Sequence, residues 1–160
     1  MKLSKNLTLS ECLRSNTAKR LGINNEPEDE WVIENLKSIA EHVFQPLRNH
    51  FGRPIYVSSG YRSADLNRAI GGSLRSQHVE GRALDLDGDV FGRISNSKIF
   101  NYIRENLTFD QLIWEFGDED NPDWVHVSYV HDGINRGRCL KACRDDKGKM
   151  YYKVIFGKSL

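Results

Sequence analysis

The feature that most constrains the fold is an amphipathic pattern between residues 27 and 51. Its apolar side chains recur at spacings of two to four, which places them on one face of a helix, and acidic residues crowd its start. The apolar stripe consists of Trp31, Ile33, Leu36, Ile39, Ala40, Val43 and Leu47. The pattern predicts a long helix with one buried face, kinked or ended near Pro46 because proline cannot donate a helical hydrogen bond.

Segments typical of strands follow this helix. They are rich in β-branched and aromatic residues and lie near 55–57, 83–86, 109–116, 123–130 and 151–157. A second amphipathic helix is predicted at 96–107. This order predicts the α+β class, with an antiparallel sheet and helices packed on one of its faces. A chain of 160 residues fits one hydrophobic core, so we expect a single domain over 1–160.

Charge and hydropathy give no support for binding to nucleic acid or for a membrane-spanning segment. The net charge is +1, so electrostatics favour neither nucleic acid nor an anionic membrane, and we expect no nucleic-acid partner. No apolar run approaches the ~20 residues that a membrane-spanning helix needs. The first residues lack the apolar segment of a signal peptide, so we expect a chain that is cytoplasmic as made. We also expect a monomer.

Two short segments contain potential metal ligands. His78 precedes Asp85 by seven positions, and Gly81 between them permits a sharp turn. In the later segment, strand alternation puts Trp124, His126 and Ser128 on one face and the intervening valines on the other. Two histidines and a carboxylate suit a catalytic zinc ion, which usually takes three protein ligands. From spacing alone, an ordinary loop histidine at 78 and an exposed strand histidine at 126 are favoured over a metal site.

A set of ordered motifs resembles the M15 family of zinc peptidases. The central motif places Ser76, His78, Gly81, Ala83 and Asp85 at the family's spacing. It is preceded by Ser-Gly-Tyr-Arg-Ser at 59–63 and followed by Trp-Val-His-Val-Ser at 124–128, and the resemblance covers about 9–129. That family includes D-Ala-D-Ala carboxypeptidases and the L-alanyl-D-glutamate endopeptidases of phage endolysins. It implies the small α+β fold shared with the Hedgehog signalling domain.

The resemblance also implies roles for individual residues. His78, Asp85 and His126 would hold one Zn²⁺ per chain. Many family members have an acidic residue three positions before the last histidine, where Asp123 stands, and we expect it to be the general base in preference to Glu115. Glu115 matches a glutamate that Hedgehog-like relatives place near the metal.

Several further side chains are candidates for contacts with substrate. Arg62 matches an active-site arginine of the family and is expected to hold a substrate carboxylate or the carbonyl oxyanion. Ser76 and Gln77 are expected to line the site or to orient His78. An aromatic wall is a further possibility, formed by Trp114, Trp124 and Tyr129.

The resemblance implies a zinc peptidase that acts on peptidoglycan stem peptides. Two alternatives stay open. In the first, the enzyme is a D,D-carboxypeptidase that trims terminal D-Ala rather than an endopeptidase. In the second, the domain is a catalytically silent zinc-containing binding module. The expected absence of a signal peptide favours an enzyme of the phage-lysin type, which reaches the cell wall after release from the cytoplasm.

Overall fold

The computed structural model describes residues 1–155. Six α-helices and eight β-strands are separated by short loops, with a π-helical segment and a 3₁₀ segment among them. In chain order these are β1 (Lys2–Ser4), β2 (Leu7–Thr8), α1 (Leu9–Leu13), α2 (Asn16–Leu21), α3 (Glu30–Ile39), the π segment (Ala40–Phe44), α4 (Gln45–Phe51), β3 (Tyr56–Ser59), α5 (Ala64–Ala69), β4 (Ala83–Asp87), the 3₁₀ segment (Gly88–Phe91), α6 (Asn96–Asn106), β5 (Gln111–Glu115), β6 (Trp124–Ser128), β7 (Arg138–Arg144) and β8 (Met150–Ile155). The strand predicted at 151–157 corresponds to β8, and positions 156 and 157 lie outside the described residues.

The long amphipathic pattern forms α3, the π segment and α4 as one continuous helical run. Regular α-helical structure is interrupted before Pro46, as predicted, yet the chain stays helical as far as Phe51. Proline lacks an N–H group and its ring blocks the carbonyl four residues earlier, and the wider π turn accommodates both effects. Trp31 was predicted to be in the stripe but is 50% exposed, and Val32 occupies the core instead.

Six strands form the main sheet, in the order β3-β4-β6-β5-β7-β8. The predicted α+β class is confirmed, and the sheet is antiparallel except at one pair, because β5 and β7 run parallel. The chain leaves β6 and crosses the end of β5 before it returns as β7. Asp110, just before β5, stabilises this crossing by accepting hydrogen bonds from the backbone and side chain of Arg136.

The two faces of the sheet have different roles. On one face, apolar strand residues pack against α1, α3, the π segment, α4 and α6 to form the main core. Val125 and Val127 point into that core, as the alternation of β6 predicted. On the other face, polar side chains line a cleft. Within residues 1–155, no helix is both long and apolar enough to cross a membrane.

Candidate metal centre

Strand register brings together two of the predicted ligands. Asp85 on β4 and His126 on β6 are direct neighbours across an antiparallel pair, so their side chains project from the same face of the sheet. The two residues are 41 positions apart in sequence, and His126 Nδ1 lies 3.1 Å from Asp85 Oδ1. Both side chains are buried at the floor of the cleft.

A tight turn before β4 supplies His78. Gly81 has a positive φ of 71°, and its N–H donates to the carbonyl of His78. A side chain at Gly81 would collide with the backbone of Val32, because a Cβ atom there would lie 2.7 Å from that residue's carbonyl oxygen. The predicted turn at Gly81 is therefore confirmed, and it folds His78 back over Asp85.

The backbone near Gly60 orients the imidazole of His78. His78 Nδ1 lies 2.6 Å from the Gly60 carbonyl oxygen, which can only accept, so Nδ1 carries the proton. Gly60 is needed where it stands, because a Cβ atom there would lie 2.6 Å from the carbonyl oxygen of Cys12. The lone pair of His78 Nε2 is thereby directed towards Asp85.

The three side chains fit a metal ion. His78 Nε2 lies 3.2 Å from Asp85 Oδ1, and one ligand atom from each of His78, Asp85 and His126 lies within 4.8 Å of the others. In neutral His78 with Nδ1 protonated, Nε2 and the carboxylate oxygen are both acceptors, so they need a cation between them. Two imidazoles and one carboxylate are the donor set of many catalytic zinc sites. The arrangement therefore suits a divalent metal of the zinc type.

Asp85 is ionised in this environment. Burial alone would raise the pKa of Asp85, but the two neighbouring histidines, His78 and His126, hold it well below its usual range. Arg62 adds a contact from its Nη2 to Asp85 Oδ2 at 3.5 Å. Asp85 is thus available as an anionic ligand over the physiological pH range.

Arg62 lies beside Asp85 at the edge of the centre, with most of its side chain buried. Besides Asp85, it donates from Nε to Ser59 Oγ at 3.2 Å and from Nη1 to Asn67 Oδ1 at 3.3 Å. Three of its five N–H groups are therefore engaged and hold the guanidinium in place. The remaining two have no partner among residues 1–155 and are available to a ligand in the cleft, which Arg62 lines.

Glu115 and Asp123, the two candidate bases, occupy different environments. Glu115 lies on β5 in the same face as His126, is 7% exposed and lines the cleft. The pKa of Glu115 is raised to about 7: burial is the main cause and the charge of Asp85 adds to it, while His126 and Arg62 oppose the shift. Asp123 is exposed and is not among the residues that line the cleft. The geometry therefore favours Glu115, the candidate that the sequence placed second.

The cleft has a volume of about 580 Å³ and contains the remaining predicted contacts. Ser76, Gln77 and Trp124 all line it. Ser76 Oγ also accepts a hydrogen bond from the backbone of His78, and Gln77 donates to Asp110. Ser76 and Gln77, the two residues that precede His78, therefore help to hold its loop in place.

The possible aromatic wall is reduced to Trp124. Trp114 packs edge-on against Phe100 on the helical side of the sheet, and Tyr129 stacks on His42. Trp114 and Tyr129 thus belong to the packing of the fold. Trp124 remains in the cleft, in contact with Phe116.

Four residues outside the predicted site also shape this region. Arg75, Arg138 and Tyr152 line the cleft, and Asp110 lies behind its wall, where it accepts from Gln77 and Arg136. Burial would raise the pKa of Asp110, but those hydrogen bonds lower it below its usual range. Asp110 lies inside the strand segment predicted at 109–116, and a single acid there does not indicate the contacts that it makes. Arg75 reaches the cleft from the loop between α5 and β4, whereas Arg138 and Tyr152 reach it because the last two strands join the sheet.

Comparisons with known proteins agree with this geometry. No curated protein matches the sequence of the chain. A family model described as Peptidase M15 matches residues 5–128, which is more than half of the chain and includes all three clustered side chains. The chain therefore belongs to the M15 family of peptidases.

Proposed function

We propose that this protein is a zinc-dependent peptidase that hydrolyses peptide bonds in peptidoglycan stem peptides. The observation that carries the proposal is the convergence of His78, Asp85 and His126, with the His78 tautomer fixed by Gly60. Membership of the M15 family supports peptide hydrolysis as the reaction. One zinc ion per chain, held by these three residues, would supply the Lewis acidity that polarises a peptide carbonyl and activates a water molecule.

Glu115 is proposed as the general base. It takes a proton from the attacking water and later returns it to the leaving amine, and a pKa of about 7 in the metal-free protein suits both steps. Asp123 remains the alternative base implied by the family resemblance. Its exposed position outside the cleft gives it no direct path to a substrate bound there.

Arg62 is proposed to assist the substrate. Its two uncommitted N–H groups can donate to the carbonyl oxygen as negative charge develops, or to a neighbouring carboxylate. Ser59, Asn67 and Asp85 hold the guanidinium in place beforehand, so little reorganisation is needed during the reaction. Ser76, Gln77 and Trp124 are proposed to line the substrate site.

The first test compares metal content and hydrolysis in wild type and His126→Ala. We expect wild type to contain about one zinc per chain and to release new amino termini from purified peptidoglycan, and the variant to lose both. His131→Ala is the matched control, because His131 is exposed and lies outside the metal cluster. Metal-free wild type would refute the proposal, and zinc-loaded wild type inactive on walls of several chemotypes would favour the binding module.

The released termini also identify the bond. New D-Glu amino termini would indicate an endopeptidase that cuts between L-Ala and D-Glu. Free D-Ala would instead indicate a D,D-carboxypeptidase.

A paired comparison of Glu115→Gln and Asp123→Asn tests the base. We expect Glu115→Gln to lower kcat by about 10²-fold or more while zinc content stays near one, and Asp123→Asn to leave kcat within about threefold. The reverse pattern would assign the base to Asp123.

A further inference from the structure

The last two strands lie beyond the part of the chain that matches the family. The match ends at residue 128, whereas β7 and β8 form a hairpin between Arg138 and Ile155. This hairpin joins the sheet through the parallel pair with β5 and forms one side of the cleft. Part of the cleft wall is therefore contributed by a segment outside the family match.

Strand alternation determines which hairpin residues face the cleft. Arg138 pairs with Gln111 and Leu140 with Ile113, so both share the face that carries His126. On β8, Tyr152 pairs with Ala142 and lies on the same face. Arg138, Leu140 and Tyr152 all line the cleft, and Tyr152 is 47% exposed there. The hairpin thus presents a cation beside an apolar and aromatic surface.

Arg138 is a cation with no ionic partner within the described chain. It is exposed and, among residues 1–155, makes no ion pair, whereas Arg136 two positions earlier is bound to buried Asp110. Its strand is separated from β6 only by β5. Since neighbouring strands lie about 4.8 Å apart, Arg138 is on the order of 10 Å from His126 along the sheet. An extended peptide covers that distance in about three residues.

We propose that the β7–β8 hairpin is a substrate-recognition wall in which Arg138 binds a carboxylate two or three residues from the scissile bond. Tyr152 packs against the aliphatic part of the same peptide. The inference rests on the proposed function, because it assumes that a peptide lies along the cleft from the metal centre. A guanidinium recognises a carboxylate through paired hydrogen bonds, and acidic stem peptides offer this group.

Two carboxylates of a stem peptide present the same chemistry. One is the α-carboxylate of D-Glu within the stem, and the other is the carboxylate at the peptide's C-terminus. Three synthetic pentapeptides separate them: L-Ala-γ-D-Glu-L-Lys-D-Ala-D-Ala with both groups free, the same peptide with the D-Glu α-carboxylate amidated, and the same peptide with its C-terminus amidated.

The experiment measures binding and hydrolysis of these peptides by the zinc-loaded full chain. Rapid-mixing tryptophan fluorescence reports binding before turnover, because Trp124 lies in the cleft. The variants are Arg138→Gln and Tyr152→Ala. Lys153→Gln is the matched control, since Lys153 lies on the same hairpin, is exposed and faces away from the cleft by alternation. Thermal unfolding confirms that each variant is folded.

We expect wild type and Lys153→Gln to bind the peptide with both groups free about tenfold more tightly than one of the amidated peptides. Arg138→Gln should abolish this difference in affinity. The amidated peptide that wild type binds more weakly identifies the carboxylate that Arg138 contacts. Tyr152→Ala should weaken all three complexes by about fivefold and leave the discrimination intact.

Binding and hydrolysis separate the two proposals. Equal binding of all three peptides by wild type, or discrimination that persists in Arg138→Gln, would overturn the inference, while hydrolysis by wild type would still support the proposed function. Discrimination that depends on Arg138, without hydrolysis of any peptide, would refute the proposed function and leave the recognition wall standing.

Discussion

Glu115 should make the stability of the metal-free protein depend on pH in a predictable way. Its folded pKa is about 7, compared with an ordinary value of 4.5, because the side chain is buried near Asp85. A group whose folded pKa is raised contributes most below its unfolded pKa, and this contribution is lost as pH rises through the folded value. The free energy of unfolding should therefore fall between about pH 4.5 and pH 8 because of this residue.

The size of the effect follows from the two pKa values. A shift of roughly 2.5 units corresponds to a limit of about 3 kcal/mol, of which about 2.5 kcal/mol develops between pH 5 and pH 8. Glu115→Gln replaces the ionisable carboxyl group with an amide and so removes this pH dependence of stability. Relative to wild type, the metal-free variant should gain about 2.5 kcal/mol between these pH values, or roughly 5–10 °C in Tm for a chain of this size.

Urea unfolding of chelator-treated wild type and variant at pH 5, 6, 7 and 8 measures this difference directly. His78, His126, Arg62 and Tyr152 also carry titratable or charged groups near Glu115, and subtracting wild type from variant removes most of their own contribution. Asp123→Asn is the control and should differ from wild type by less than about 0.5 kcal/mol at every pH. If the difference in the free energy of unfolding between Glu115→Gln and wild type does not change with pH, the claim that Glu115 is buried near Asp85 is refuted.

Three further predictions concern the turn at Gly81, the contacts of Asp110 and the effect of metal on stability. Gly81→Ala should lower the free energy of unfolding by about 1–3 kcal/mol in urea titrations and weaken zinc binding, because the turn has a positive φ and touches Val32; unchanged stability would show that the turn adapts. Asp110→Asn should cost about 1–2 kcal/mol at pH 7, because it weakens the hydrogen bonds of buried Asp110 with Arg136, whose side chain is half exposed to solvent. That loss should shrink as pH falls towards 3, since the lowered pKa of Asp110 makes its stabilisation disappear on protonation; a cost independent of pH would contradict the ionic role. Removal of metal by a chelator should lower Tm, and added zinc should restore it in wild type but not in His126→Ala.

Local sequence patterns and the family motifs together predicted the candidate metal ligands and much of the fold. His78, Gly81 and Asp85 lie within eight consecutive residues, and alternation alone predicted that His126 faces away from the core. The helical period at 27–51 and five of the six strands of the main sheet were likewise predicted, because amphipathic periodicity records which face of an element is buried, whereas β7 was not predicted. Family motifs then connected two segments that are distant in the chain.

Tertiary structure decided the features that depend on pairing between distant strands. Glu115 and Asp123 are both acids near a strand end, and only the register of β5 against β6 buries one beside His126 and leaves the other exposed. The same holds for Arg138 and Tyr152, which reach the cleft because β7 pairs in parallel with β5. Periodicity specifies which residues share a face of one strand, whereas the neighbour of that strand is set by long-range packing. The sequence by itself therefore predicted the candidate ligands, and the sheet order determined what surrounds them.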